Sequence, residues 1–271
     1  MLTALIAMLE LSSLYRYTVK SCRGEQLPQA RVTPMGLPLD RHWMVADTRG
    51  LMLTGREEPR LVQIEVLADE DGEAVHLRAP GMHDLHVSRH ALCVPTPAQV
   101  WLDEFSAWGG YSPANAWLSQ FLGLEVQLLH IGEKSQRQAP NRPEMELSFA
   151  DAYPLLLVNT ASLDVLSAKA GRAMHIERFR PNLVVSGAEA FAEDTWRRLR
   201  IGEVTFVLEK TCERCVFTTA DPFTGERSRD QQPLRALAKF RRKGDAVIFG
   251  MNLRAENAGV LREGMTVEVL E

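Results

Sequence analysis

The chain of 271 residues has little of several features that would define its class at once. It has no excess of basic residues, since 31 Lys and Arg against 35 Asp and Glu give a formal net charge of −4. This balance argues against general nucleic-acid binding, which depends on neutralising phosphates. No apolar run reaches the roughly 20 residues needed to cross a bilayer. Four cysteines are too few for a disulfide scaffold and fit a reducing, cytoplasmic location.

The N-terminus also shows no recognisable export signal. Residues 1–8 are apolar but short, they lack a basic segment, and no clear small-residue cleavage site follows them. Strand patterning begins at Leu9, so either Met1 or Met8 fits the start of translation. We therefore expect neither a signal peptide nor a membrane span.

The composition that remains is ordinary for a globular protein, with 45% hydrophobic and 24% charged residues. Short alternating segments recur about every 8–12 residues, as in β-barrels and sandwiches. We predict a mainly β, barrel-like fold with a few short helices and a domain boundary near residues 123–130. The predicted strands cover residues 15–19, 42–46, 51–54, 61–67, 75–78, 85–87, 126–130, 155–158, 183–186, 205–208, 216–219, 247–250 and 266–270.

End signals predict the helices. Ser112 is the expected N-cap of a helix over 112–121, because Pro follows it and Pro suits the first helical position. Thr160 is the expected cap of a helix over 160–170. The remaining predictions are a helix over 234–240 and a polar loop over 133–145.

The strongest local motif is the C-x-x-C pair of Cys212 and Cys215, with Arg214 between them. A neighbouring guanidinium favours the thiolate, which is both the nucleophile and the metal ligand. A zinc ribbon needs a second C-x-x-C, and the other cysteines, Cys22 and Cys93, are isolated. A thioredoxin-like site needs a βαβ setting that this β-rich region lacks. The spacing alone leaves buried packing and a functional thiol as equal alternatives.

Basic side chains in the first half have two interpretations. Lys20 and Ser21 at a strand end can bind a phosphate or an anionic cofactor, or they form a solvated strand terminus. Arg41 and Arg56 can bind phosphate through bidentate contacts, or they are surface arginines paired with neighbouring carboxylates.

Two other groups have a structural alternative as well. Arg180 offers a rigid fork and Asn182 an amide, but the alternative is a turn, because Pro181 and Asn182 are turn residues. His83, His86 and His90 do not predict a metal site, because a strand places the first two on opposite faces.

Several motifs appear in one order along the chain. They are Val19-Lys-Ser-Cys22, Asp40-Arg-His-Trp43, Glu58-Pro-Arg-Leu61, Phe179-Arg-Pro-Asn182, Cys212-Glu-Arg-Cys215 with Thr218-Thr219, Asp221-Pro222 and Gly225, and Phe249-Gly250. From about Leu11 to Leu270 the chain resembles the MOSC family with its N-terminal β-barrel domain, some of whose members reduce amidoximes or detoxify N-hydroxylated bases. The resemblance implies a MOSC N-terminal β-barrel domain over 1–125 and a β-rich MOSC domain over 126–271.

The resemblance also implies a molybdenum cofactor, a pterin dithiolene with a phosphate, bound between the two domains. Cys215 is then the molybdenum ligand and the catalytic residue, and the resemblance also implies binding similar to that of pyridoxal phosphate. Glu213 and Asn252 differ from the family pattern, where Ser and Tyr are common. The implied cofactor-binding residues are Lys20, Ser21, Arg41, Arg180, Asn182, Glu213, Arg214 and Asn252.

The implied function is reduction of small N-hydroxylated compounds by a molybdenum enzyme. Electrons are expected from a separate ferredoxin- or flavin-type protein, because no cysteine follows Cys215 and no G-x-G-x-x-G is present. One alternative is a non-catalytic carrier of the molybdenum cofactor or of a persulfide sulfur on Cys215. Another is a disulfide switch between Cys212 and Cys215.

Overall fold

The computed structural model describes residues 8–69, 72–139 and 142–271. Residues 1–7 of the apolar N-terminal segment lie outside the described residues. Strands dominate the described chain and three α-helices accompany them, which confirms the mainly β class with a few short helices. The strands are β1 (Glu10–Arg16), β2 (Glu25–Leu27), β3 (Gln29–Val32), β4 (Trp43–Asp47), β5 (Glu65–Ala68), β6 (Ala74–Arg78), β7 (Leu85–Ser88), β8 (Val94–Val100), β9 (Asp103–Gly109), β10 (Val126–His130), β11 (Arg137–Ala139), β12 (Arg142–Leu147), β13 (Leu155–Asn159), β14 (Leu183–Ser186), β15 (Arg198–Ile201), β16 (Val204–Glu213), β17 (Arg242–Lys243), β18 (Ala246–Ala255), β19 (Gly259–Arg262) and β20 (Val267–Val269).

A nine-stranded sheet is the largest layer in the described part of the chain. Its order is β2-β1-β14-β13-β18-β16-β15-β20, with β17 beside β18. β13 and β14 run parallel, and their neighbours pair antiparallel. Leu14, Leu157, Leu183, Phe206 and Leu253 are fully buried in one hydrophobic cluster against this sheet. Alternation along each strand therefore supplies the core.

Two smaller sheets, β4-β10-β9-β8 and β5-β6-β7, come from the first half of the chain and β10. Trp43, Val66, Leu77 and Leu128 bury their side chains in a second cluster between them. Strand β10 follows directly after the predicted boundary yet pairs with β4, whereas β1 pairs with β14 in the large sheet. The two halves are thus interleaved, and the division into 1–125 and 126–271 stays a prediction.

Both predicted helix caps are wrong by one residue. The helices are α1 (Ser112–Leu122), α2 (Thr160–Ala170) and α3 (Leu234–Phe240). Ser112 is already helical, and Tyr111 occupies the N-cap without a side-chain hydrogen bond. Thr160 is likewise helical, because the side chain of Asn159 accepts a hydrogen bond from the Ala161 N–H at 3.1 Å and caps the helix. None of the helices in the described part of the chain combines the length and apolar character that crossing a membrane requires.

Two predicted strands are partly or wholly 3₁₀-helical. Segment 216–219 forms a single 3₁₀ turn, because the Thr218 and Thr219 hydroxyls donate to the carbonyls of Cys215 and Val216 at 2.9 and 2.7 Å. Segment 61–67 begins in the 3₁₀ helix Pro59–Gln63, and only its second part is strand β5.

The predicted loop 133–145 instead contains β11 and part of β12, which pair with each other. Arg137 explains why a polar segment is ordered here. Its buried guanidinium donates to the carbonyls of Ser148 and Ala150 at 2.5 and 2.7 Å and forms an ion pair with Asp103. Pro140, one of the two prolines on which the loop prediction rested, lies outside the described residues.

Candidate functional site

A cavity of about 330 Å³ lies between segments from the first and second halves of the chain. Seven basic side chains and two carboxylates line it, so its charge favours an anionic ligand. The cavity brings together all nine predicted site residues, namely Lys20, Ser21, Arg41, Arg180, Asn182, Glu213, Arg214, Cys215 and Asn252. Their roles toward a cofactor stay predictions.

Cys215 lies at the cavity wall, just before the 3₁₀ turn Val216–Thr219. The cation at its sulfur is Arg56, whose Nε lies 3.2 Å from Sγ. Arg214, the neighbour in sequence, instead donates to the carbonyls of Phe249 and Phe179 at 2.5–3.0 Å. The favourable charge for a thiolate therefore comes from the first half of the chain. All four cysteines are free thiols.

Arg56 is held by a chain of side chains, two of which, Trp101 and Asp151, were not predicted to lie in the site. Its guanidinium carbon lies 4.3 Å from the centre of the Trp101 ring. The Trp101 indole N–H donates to Asp151 at 3.1 Å, and Asp151 also accepts from Lys20 Nζ at 2.5 Å. Arg56, Trp101, Asp151 and Lys20 thus form a continuous wall beside Cys215.

The pKa values of Lys20 and Asp151 are both lowered in this pair. Burial lowers the pKa of Lys20, and Asp151 partly offsets this effect. Desolvation disfavours the charged form of Asp151 and would raise its pKa. The charge and hydrogen bond of Lys20 and the hydrogen bond of Trp101 outweigh this effect, so the pKa of Asp151 is lowered to about 2. Lys20 also donates to the Phe149 carbonyl at 2.8 Å, so its ammonium is fixed from two sides.

Two arginines enclose a buried tyrosine below the cavity. The guanidinium carbons of Arg41 and Arg180 lie 4.6 and 4.1 Å from the centre of the Tyr17 ring. Arg41 is paired with the buried carboxylate of Asp40. Burial and the charge of Arg41 lower the pKa of Arg180 to about 10, and its Nη1 donates to the Cys22 carbonyl at 2.7 Å. Arg180 lines the cavity, and its Nη2 is buried without a partner within the described residues.

Asn182 has a structural role in addition to its predicted one. It is buried, and its Nδ2 donates to the Tyr15 carbonyl and to Asp40 at 3.2 and 3.1 Å. Its Oδ1 accepts from the Leu156 N–H and from Arg41 at 3.2 Å each. The amide thereby joins β1 and β13 to the ion pair of Arg41 and Asp40, and all four bonds are made within the protein.

Glu213, Asn252 and Cys212 lie on strands of the large sheet at or beside the cavity. Glu213 is exposed and lies 3.5 Å from Lys210. Asn252 on β18 is in register with Leu156 on β13 and Lys210 on β16. Cys212 is half-buried on β16, and burial raises the pKa of its thiol.

Left-handed backbone is concentrated at the cavity. Ser21, Arg41, Trp101 and Arg180 have φ values of 66°, 54°, 55° and 55°, a conformation that costs energy for residues with a Cβ. They make up four of the seven such non-glycine residues in the described ranges, and all four line the cavity. Strained backbone of this kind clusters at functional sites because the surrounding fold enforces it.

Comparison with known proteins agrees with the motifs. Residues 8–125 match the MOSC N-terminal beta barrel domain, and residues 144–268 match the MOSC domain. The chain belongs to the MOSC family. This confirms the resemblance drawn from the ordered motifs.

Among the relatives of this MOSC protein are two from Homo sapiens. Mitochondrial amidoxime-reducing component 1 is 33% identical over 96% of this chain and 82% of its own length. Mitochondrial amidoxime reducing component 2 is 34% identical over 93% of this chain and 81% of its own length. The YUAD protein from Bacillus subtilis is a solved structure similar over 97% of this chain and 95% of its own, with 12% identity and a TM-score of 0.47.

Proposed function

We propose that this MOSC protein binds a molybdenum cofactor in the cavity and reduces small N-hydroxylated compounds with electrons from a separate ferredoxin- or flavin-type protein. The names of the human relatives support this class of reaction. The observation that carries the proposal is a cysteine sulfur with a guanidinium at 3.2 Å, at the wall of a cavity rich in cations. The expected cytoplasmic location stays a prediction.

The donor set of the cavity fits such a cofactor. Cysteine sulfur is a soft ligand of the kind that redox metals accept, and Cys215 would supply that sulfur to a bound metal. A phosphate needs cationic donors, and the unpartnered Arg180 Nη2 is one that the fold leaves unused. Ser21 would contribute beside it, whereas Arg41, Asn182 and Arg214 make their hydrogen bonds within the protein itself. Arg180 and Ser21 are therefore expected to hold the ligand, and the other three residues to position them.

The cofactor, when bound, would supply the two-electron chemistry that cleaves the N–O bond. The chain must hold the substrate and deliver two protons for each water formed. Asp151 cannot donate a proton at neutral pH, because its pKa is about 2. Lys20 lies against it with a pKa lowered by burial, which makes its proton easier to release. We assign proton delivery to Lys20 and orientation of the ammonium to Asp151.

The test compares single cysteine variants of the full chain from a molybdenum-replete host. Elemental analysis and reduction of an amidoxime by a chemical or protein donor are measured on the same samples. About one molybdenum per chain and turnover are expected in the wild type, and Cys215→Ser should lose turnover. Cys93→Ser is the matched control, because Cys93 is an exposed free thiol outside the cavity. Cys212→Ala should be milder than the Cys215 variant.

Two outcomes contradict the proposal. Turnover that survives in Cys215→Ser removes the role of that thiolate, and zinc without molybdenum in the wild type removes the cofactor. Molybdenum without turnover, together with transfer of the cofactor to an acceptor protein, would instead support the carrier alternative.

A further inference from the structure

Two imidazoles and a carboxylate meet on the three-stranded sheet β5-β6-β7, outside the cavity described above. His76 on β6 is directly in register with His86 on β7, and their ring centroids are 4.7 Å apart. Asp69 follows the end of β5, whose Leu67 is in register with His76. In the sequence, His86 lies close to His83 and His90, with which it is considered as a possible metal site. In the structure His86 instead lies beside His76.

The pleat of the sheet explains the common face. Val75, Leu77 and Val87 alternate with the two histidines and are buried, so the imidazoles stand on the opposite, solvent side. The side chains of His76 and His86 are 45% and 54% exposed. A rigid, hydrogen-bonded sheet therefore holds the two rings, and they remain open to solution.

The donor atoms have the spacing of a metal site. His76 Nε2 lies 2.8 Å from one Asp69 oxygen, and His86 Nε2 lies 3.5 Å from the other. All three ligand atoms fall within 4.8 Å of one another. A tetrahedral zinc ion with bonds of about 2.0–2.1 Å needs neighbouring donors about 3.3 Å apart. The two histidine–carboxylate distances, each to a different Asp69 oxygen, lie on either side of that value, so small side-chain rotations would let an ion enter.

We propose that Asp69, His76 and His86 bind a divalent transition ion of the zinc class. Imidazole nitrogen with one carboxylate suits zinc, nickel or copper, whereas magnesium and calcium prefer oxygen ligands. Three protein ligands leave the fourth position to water or to a donor from another molecule. The ion joins β5, β6 and β7, so its expected effect is to stabilise this sheet. The site shares no residue with the cavity and does not depend on the function proposed for it.

The experiment uses the full chain after removal of metal by a chelator. Zinc binding is measured by calorimetry, and cobalt is added as a probe whose visible absorption reports a tetrahedral nitrogen and oxygen environment. The wild type should bind one zinc ion per chain at this site and show the cobalt bands. His76→Ala and His86→Gln should each weaken binding by at least the 10–100-fold typical of disturbing a ligand's environment.

His83→Ala is the matched control, because His83 is an exposed histidine in the turn between the same two strands. It should bind zinc like the wild type. Far-ultraviolet circular dichroism verifies that each variant is folded, and the milder Asp69→Asn gives a second test if an alanine variant is not. Equal zinc affinity in wild type, His76→Ala and His86→Gln would overturn the proposal, as would cobalt spectra typical of six oxygen ligands. In either case the three residues make only a His–Asp hydrogen bond.

Discussion

The burial of His130 makes a measurable prediction about the pH dependence of stability. The imidazole is 5% exposed, packs edge-on against Trp43 with centroids 4.7 Å apart, and accepts a hydrogen bond from the Gly132 N–H at 3.0 Å. Burial and the nearby His42 lower the pKa of His130 to about 3. The folded protein thus keeps this ring neutral down to acidic pH.

The sign follows from the two protonation states. In the unfolded chain the ring takes up a proton near its ordinary pKa of about 6.5, whereas in the folded chain it does so only near 3. Between these values the unfolded state binds more protons, so the contribution of His130 is complete above pH 6.5 and is lost as the pH falls. At about 1.4 kcal/mol per unit, moving from pH 7.5 to 4.5 costs about 3 kcal/mol from this residue alone. That is a large part of the 5–15 kcal/mol typical of a folded protein.

Urea unfolding at pH 7.5 and 4.5 measures the effect. His130→Asn keeps a hydrogen-bond acceptor for Gly132 but cannot titrate, so it should lose less free energy of unfolding between the two pH values than the wild type, by about 3 kcal/mol. His83→Asn, on the surface, should lose as much as the wild type. If His130→Asn lost as much as the wild type, the ring would not be neutral in the folded protein, and the reasoning from burial would fail.

Two further predictions concern the cavity. Arg56→Lys removes the Nε donor to Cys215 and the planar stack on Trp101. The proposed reduction of an amidoxime should then fall by about 10–100-fold, as expected when a charged hydrogen bond of about 1.5–3 kcal/mol is lost. Arg49→Lys, exposed and outside the cavity, should leave the rate unchanged. Asn182→Ala removes one of the hydrogen-bond donors to the buried Asp40, and it takes away the side-chain partner of the Leu156 N–H and of the Tyr15 carbonyl. It should lower the free energy of unfolding by about 2–4 kcal/mol in urea even without cofactor, and an unchanged value would mean that the amide serves the ligand alone.

The fold was predictable wherever burial on one face dictates the sequence pattern. Strand 183–186 and helix 234–240 have the predicted bounds, because Leu183 and Val185 must alternate into the core and Leu237 must face it. Segment 216–219 has an equally good β composition. Its conformation is decided by two threonine hydroxyls that donate to backbone carbonyls and so favour a 3₁₀ turn over a strand. The alternation of apolar and polar residues carries no information about such bonds.

The candidate site was predictable only through motifs that keep their order along the chain. Cys215 and its Arg214 neighbour stand out in sequence, yet the guanidinium at the sulfur belongs to Arg56, which lies 159 positions away. Trp101 and Asp151 carry no local signal either. Trp101 lies at the tip of the β8–β9 hairpin, and Asp151 follows strand β12 at a position where a solvent-exposed acid is common. Such contacts arise from the interleaving of the two halves, and periodicity within a single segment cannot reveal them.

The strained backbone at the cavity depends on contacts between the two interleaved halves of the chain. Ser21, Arg41, Trp101 and Arg180 adopt left-handed φ angles that nothing in their side chains favours, so each must be held by its surroundings. For Arg41 the hold is visible, because its N–H donates to the Tyr17 carbonyl at 2.8 Å while its guanidinium pairs with Asp40. Arg180 is fixed in the same way, through its N–H to Glu177 and its guanidinium to Cys22 from the other half of the chain. The fold thus enforces this cost at residues that line one cavity, and it fixes the cations of Arg41 and Arg180 at defined points before any ligand arrives. Such preorganisation lowers the cost of binding the anionic ligand that we propose.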